Sequence, residues 1–244
     1  MQIETLNETI YKAAFDFGSL EQYQILQELQ FNGYKLMGYK GASGPNQITC
    51  GLPTWFSESF TKMYGQIEID CEPLYRVYVF EETDVRTYTT IEMQILSDEY
   101  PLGTALVLNS DGSFSVQEGS APKGTITVLN DRPTGSKNIT IGLASKILDQ
   151  YAPFCAFNSI AQDTVCMRPN DKICLFIAQT NIAEGSMVKN LTGLGCTFEF
   201  NSSDVQYNLK MTRMPWGITH TDPEKSVNTK YPNQSLNQFL NIAG

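Results

Sequence analysis

Hydrophobic and polar positions alternate along most of this chain, and the clearest case is 66–80, QIEIDCEPLYRVYVF. In an extended chain successive side chains face opposite sides, so Ile67, Ile69 and Cys71 share one face and Glu68, Asp70 and Glu72 the other. Pro73 has no N–H for a ladder and ends or bends the run. Val77 and Val79 then alternate with Arg76, Tyr78 and Phe80 in a second strand rich in β-branched and aromatic residues.

The period changes at 20–33, LEQYQILQELQFNG. Leu20, Tyr23, Leu26 (or Ile25), Leu29 and Gln30 recur at helical spacing, Ser19 is a suitable N-cap, and Asn32-Gly33 stops the run. This predicts one helix, preceded by an arm over 1–18. From Tyr34 onward short alternating runs recur at roughly 8–12 residues, the signature of an all-β sandwich or barrel. Asn109-Ser110-Asp111-Gly112 joins two such runs as a hairpin turn. The last stretch, 221–244, is polar with Pro223 and Pro232 and reads as an arm.

The chain also resembles itself. Ile67–Phe80 aligns with Asp163–Phe176, placing Pro169 under Pro73, Lys172 under Arg76 and Phe176 under Phe80. The stretch 194–204 aligns with 102–112, and Pro215-Trp216-Gly217 with Pro122-Lys123-Gly124. The expected fold is therefore all-β: two tandem antiparallel β-sandwich units over 33–132 and 133–222, an arm and helix over 1–32, and a C-terminal arm over 223–244.

Charge narrows the partners. A formal net charge of −9 with 17 Lys+Arg argues against nucleic acid and against electrostatic docking on anionic lipid. No apolar run reaches the ~20 residues of a membrane helix. The first residues, with Glu4 and Glu8, do not read as a secretory signal, so a cytoplasmic location or a mature secreted form is expected. Cys50, Cys71, Cys155, Cys166, Cys174 and Cys196 sit mostly in apolar runs, as buried thiols do. The Asn-x-Ser/Thr triplets at Asn7, Asn138, Asn190, Asn201 and Asn233 read as chance in an Asn/Ser/Thr-rich chain.

Recognisable catalytic motifs are sparse. His220 is the sole histidine, which leaves little for imidazole metal binding or for a Cys–His pair; it reads as a loop residue. Gly41-Ala42-Ser43-Gly44-Pro45 lacks the Lys-Ser/Thr ending of a phosphate loop. The acidic stripe Glu68, Asp70 and Glu72 has the oxygen ligands for Ca2+ or a basic partner, the spacing of paired hydrolytic carboxylates, or simply the charge that protects a sheet edge. Trp55, Phe56, Tyr64, Tyr75, Tyr78 and Trp216 are the aromatic candidates for touching a glycan or lipid head group, with ordinary core packing as the competing role. The expected function is non-enzymatic binding or self-assembly, with a homo-oligomer as partner. The alternatives are a glycan- or membrane-binding, lectin- or toxin-like sandwich, and a hydrolase using the 68–72 carboxylates.

Overall fold

The computed structural model describes residues 10–213, 215–225 and 227–240. In chain order the elements are β1 (Tyr11–Asp16), α1 (Leu20–Phe31), β2 (Lys35–Ser43), β3 (Leu52–Pro53), β4 (Phe56–Ser59), β5 (Gln66–Cys71), β6 (Leu74–Phe80), β7 (Ile95–Pro101), β8 (Ala105–Leu108) and β9 (Phe114–Val116). They continue with β10 (Ile126–Asn130), β11 (Ile139–Ile147), β12 (Gln150–Pro153), β13 (Phe157–Ser159), β14 (Thr164–Ala178), β15 (Met187–Val188), β16 (Gly195–Glu199), β17 (Gln206–Thr212), β18 (Gly217–His220), β19 (Asn228–Lys230) and α2 (Leu236–Leu240). The protein is all-β.

The expected N-terminal arm contains β1, which lies between β17 and β5 inside a sheet. Ala13, Phe15 and Phe17 alternate into the core there, a period-2 signal inside a segment that reads as mixed. Residues 1–9 lie outside the described residues. The polar C-terminal stretch likewise holds β19, paired with β16, and α2, whose Leu236 and Leu240 are buried.

Helix α1 begins where Ser19 Oγ accepts from the Gln22 N–H at 3.2 Å. Its buried stripe is Gln22, Ile25, Leu26 and Leu29, shifted from the expected face, and Leu20 and Tyr23 are exposed. The shift follows from Gln22. Its amide donates to Met211 O at 3.0 Å and accepts from Met211 N at 2.9 Å, standing in for a strand partner at the end of β17. A glutamine so satisfied belongs inside.

Strand β14 is the spine of the largest sheet. Its first half pairs β10, its second half pairs β16, and β2 runs along its other side. Register shifts between Pro169 and Ile173. The aligned Pro73 separates β5 from β6, so in both places a proline marks where the chain passes from one pairing to the next.

Six strand pairings occur twice, in the same chain order. β1 pairs β5 as β10 pairs the first half of β14. β2 pairs β4 as β11 pairs β13, and β6 pairs β7 as the second half of β14 pairs β16. β8 pairs β9 as β17 pairs β18. The other two are reciprocal exchanges: β2 pairs β14 and β11 pairs β6, while β1 runs parallel to β17 and β10 parallel to β8. Registers agree as well as partners. Lys40 faces Ile173 and Leu143 faces Val77, with offsets of 143 − 40 = 103 and 173 − 77 = 96, and the pairs Gly38–Leu175 and Ile141–Val79 keep both offsets.

Pairing therefore crosses the expected boundary at 132/133 instead of closing two side-by-side sandwiches. The register also matches β8 to β17 and β7 to β16, whereas the sequence alignment laid 102–112 on 194–204, the stretch containing β16. One hydrophobic cluster, from Ala13 and Phe15 through Val77, Leu106 and Val128 to Leu209 and Ile218, takes residues from both sets.

Candidate functional site

Most of the expected aromatic platform is core. Trp55 is fully buried, its Nε1–H donating to Ser145 O at 3.3 Å. Phe56 is buried against Trp55, their ring centroids 5.4 Å apart. Tyr75 is buried beside Phe154, and Tyr78 is buried with its hydroxyl donating to Cys155 O at 2.7 Å. The physical reason is that β6 is covered on both faces. Tyr75, Val77 and Val79 enter one hydrophobic cluster, and Tyr78 and Phe80 enter another. Trp55, Phe56, Tyr75 and Tyr78 are thus corrected from surface platforms to packing residues. Tyr64 is exposed, its hydroxyl donating to Thr61 O at 2.8 Å. Trp216 is half-buried.

The acidic stripe is on the solvent side of β5, but it is not bare. Lys12 of the neighbouring β1 reaches Glu68 Oε2 at 2.7 Å and Asp70 Oδ1 at 3.8 Å. The hydrogen bond to Glu68, and the charges of Asp70 and Glu68, hold the Lys12 ammonium above its ordinary range. Glu72 lies beyond the end of β5 and is half-buried. A Ca2+ ion at Glu68 and Asp70 has to displace that ammonium. Among the described residues no group of three or more His, Cys, Asp or Glu side chains is arranged to hold a metal.

His220 is buried at the end of β18 rather than exposed in a loop. Its Nδ1 accepts from the Asp222 N–H at 2.9 Å, and its ring stands edge-on to Tyr207 at 5.9 Å. All six cysteines are free thiols, with Cys71, Cys155, Cys174 and Cys196 buried.

What the fold assembles at the surface is a groove of ≈ 430 Å³ around Trp216 and Tyr34. The two rings meet edge to face, with centroids 6.0 Å apart and planes at 61°. Tyr34 is set by the stop of α1, its N–H donating to Leu29 O at 3.0 Å. Trp216 sits in the turn between β17 and β18. The end of β14 supplies Ile177 and Ala178, and Gln179 follows, its amide donating to Asn32 O at 2.6 Å.

Close packing shapes the wall. A Cβ on Gly193 would come within 2.0 Å of Ile177 O, so only glycine fits there. Thr192, Leu194, Pro215 and Pro232 also line it, and among the described residues none of the lining is charged. Of the expected site residues only Trp216 lies here. Tyr34 is legible in the sequence only as the point where the period changes from helix to strand. Gln179, Thr192, Leu194 and Pro232 come from separate segments and carry no local signal. No family model, curated protein or solved structure matches this chain.

Proposed function

We propose that the protein acts by binding, and that the Tyr34–Trp216 groove takes a neutral sugar ring. The observation that carries this reading is a groove with no charge among its described lining residues, holding two aromatic rings in edge-to-face contact, with amide and hydroxyl groups at Gln179 and Thr192. Sugars present apolar C–H faces to aromatic rings and hydroxyls to side-chain amides, a mixture this lining matches. A charged ligand would find no counter-charge in it. The test is a glycan array with the intact protein, followed by Trp216→Ala on any glycan retained. Binding that Trp216→Ala abolishes supports the reading; glycan binding unchanged by that variant removes it.

A second reading is self-association through the outer face of α1. Leu20, Tyr23 and Phe31 are 73%, 50% and 92% exposed there, at helical spacing. Sedimentation at rising concentration tests it: an oligomer that Phe31→Ser dissociates supports the reading, and a monomer throughout overturns it.

A further inference from the structure

Lys40 is a lysine placed where lysines rarely go. It is 4% exposed on β2. Its Nζ lies 4.9 Å from the Trp55 ring centroid, 5.2 Å from that of Phe154 and 5.5 Å from that of Tyr75. It donates to Ser145 Oγ at 3.4 Å, a long bond.

Beside it is a cavity of ≈ 20 Å³, whose lining includes Lys40, Cys71, Glu72, Tyr75, Asn170 and Asp171. The cavity lies where the two aligned prolines turn the chain, at the meeting of the two sets of pairings: Pro73 is in its wall and Asn170 follows Pro169. Its size suits a molecule of about one or two heavy atoms.

The groups around the cavity divide the chemistry. Burial pushes the Lys40 ammonium below its ordinary range, against the pull of Cys71, Asp171 and Cys155. Burial pushes the Cys71 thiol up to about 11, so the thiol is a poor competing nucleophile. Asp171, which also lines the cavity, has its carboxyl raised by burial, the direction that suits an acid delivering a proton to a leaving hydroxyl.

We propose that Lys40 is a covalent site for a one-carbon aldehyde, held as an iminium inside the ring of Trp55, Tyr75 and Phe154. The neutral amine attacks the aldehyde carbon, the C=O pair moves to oxygen, and a proton passes from nitrogen to that oxygen, giving a carbinolamine. Asp171 protonates the hydroxyl, the nitrogen lone pair forms C=N, and water leaves. The balance is amine plus aldehyde plus one proton giving iminium plus water, and Asp171 regains its proton from solvent. The three π faces favour the cationic iminium over the neutral carbinolamine that precedes it. A carbamate from carbon dioxide would instead set an anion against those faces and against Asp171.

The test uses the intact protein with formaldehyde as the probe, borohydride to trap the iminium as N-methyl-lysine, and peptide mass mapping. At neutral pH Lys40 is expected to be methylated faster than exposed Lys123, since burial lowers the ammonium's pKa and so raises the neutral fraction of the amine. Asp171→Asn is expected to slow labelling at Lys40 and leave Lys123 unchanged; equal slowing at both, or none, removes the acid role. Labelling of Lys40 that is no faster than Lys123, or that occurs only in urea, overturns the proposal and needs no variant. Trp216→Ala leaves Lys40 labelling intact, so failure here is separate from failure of the groove.

Discussion

Arg76 and Glu99 are ion-paired at 3.2 Å across β6 and β7, and Lys172 and Glu199 repeat the pair at 3.5 Å across β14 and β16. The first pair is reinforced by Tyr151, whose ring centroid lies 4.4 Å from the Arg76 guanidinium. A hydrogen bond from Tyr151, then one from Arg76, holds the Glu99 carboxyl below its usual range. A carboxyl lowered by folding stabilises the fold above its unfolded value, about 4.3, and loses that contribution as pH falls through the folded value. Glu99→Gln is therefore expected to lower the melting temperature at pH 7, the loss of stability being no more than about 1 kcal/mol because the pair is partly solvated. The gap between the two proteins closes as pH falls below the folded value, to an acid pH at which Glu99 is protonated in both states. Thermal melts at the two pH values check this; a gap that persists at low pH removes the ionic explanation.

The two tryptophans should behave oppositely. Trp55 is fully buried, donates to Ser145 O and underlies Lys40. Trp55→Ala is expected to cost about 3–5 kcal/mol in urea unfolding, the range for emptying a large aromatic site in a core. Trp216→Ala removes a half-buried ring from a groove wall and is expected to cost under about 1 kcal/mol. A similar cost for both would mean that the groove ring is structural.

How much of this was legible in the sequence depends on where the information lies. The period-2 runs of 66–80 disclosed β5, β6 and the all-β class, because alternation is a local property of the chain. They did not disclose which side of β6 is covered, and both sides are, which sends Tyr75 and Tyr78 inward together. Lys40 shows the same limit. In sequence it is a strand residue between Tyr39 and Gly41, and only the meeting of β2 with Trp55, Tyr75 and Phe154 encloses it. The breaks at Pro73 and Pro169 were readable because a residue without an N–H sits where a ladder ends or shifts. The exchange of β2 with β11 between those bends was not, since pairing partners far apart in sequence leave no trace in either strand alone.

Tyr78 and Gly142 face each other in the ladder between β6 and β11. A Cβ on Gly142 would come within 2.0 Å of Cys155 O and 2.4 Å of the Tyr78 hydroxyl. Tyr78→Phe removes the donor to Cys155 O and is expected to cost about 1–3 kcal/mol, the range for a buried acceptor left unpaired. Gly142→Ala is expected to cost more, because the nearest obstacle is backbone. Combining the two changes should not rescue it, since trimming the hydroxyl leaves the carbonyl in place. Urea unfolding of the three variants decides this, and recovery in the double variant would identify the tyrosine as the true obstacle.

The thiols report on how tightly the core is closed. Cys71, Cys155, Cys174 and Cys196 are buried, while Cys50 and Cys166 are half-buried. Burial pushes the Cys155 and Cys196 thiols up to about 12. It also raises Cys50, whose Sγ donates to Val85 O at 3.3 Å. A thiol-specific disulfide reagent at pH 8 is expected to titrate two of the six cysteines in the native protein and all six in urea. Cys50 should lag a free thiol, because its thiolate is disfavoured at that pH and its proton is held by Val85. A third thiol reacting at the native rate, where it maps to Cys71 or Cys155, would mean that the sheets around it open without global unfolding. Those two thiols flank the Lys40 cage, so the same result would also show how a small reagent reaches the amine.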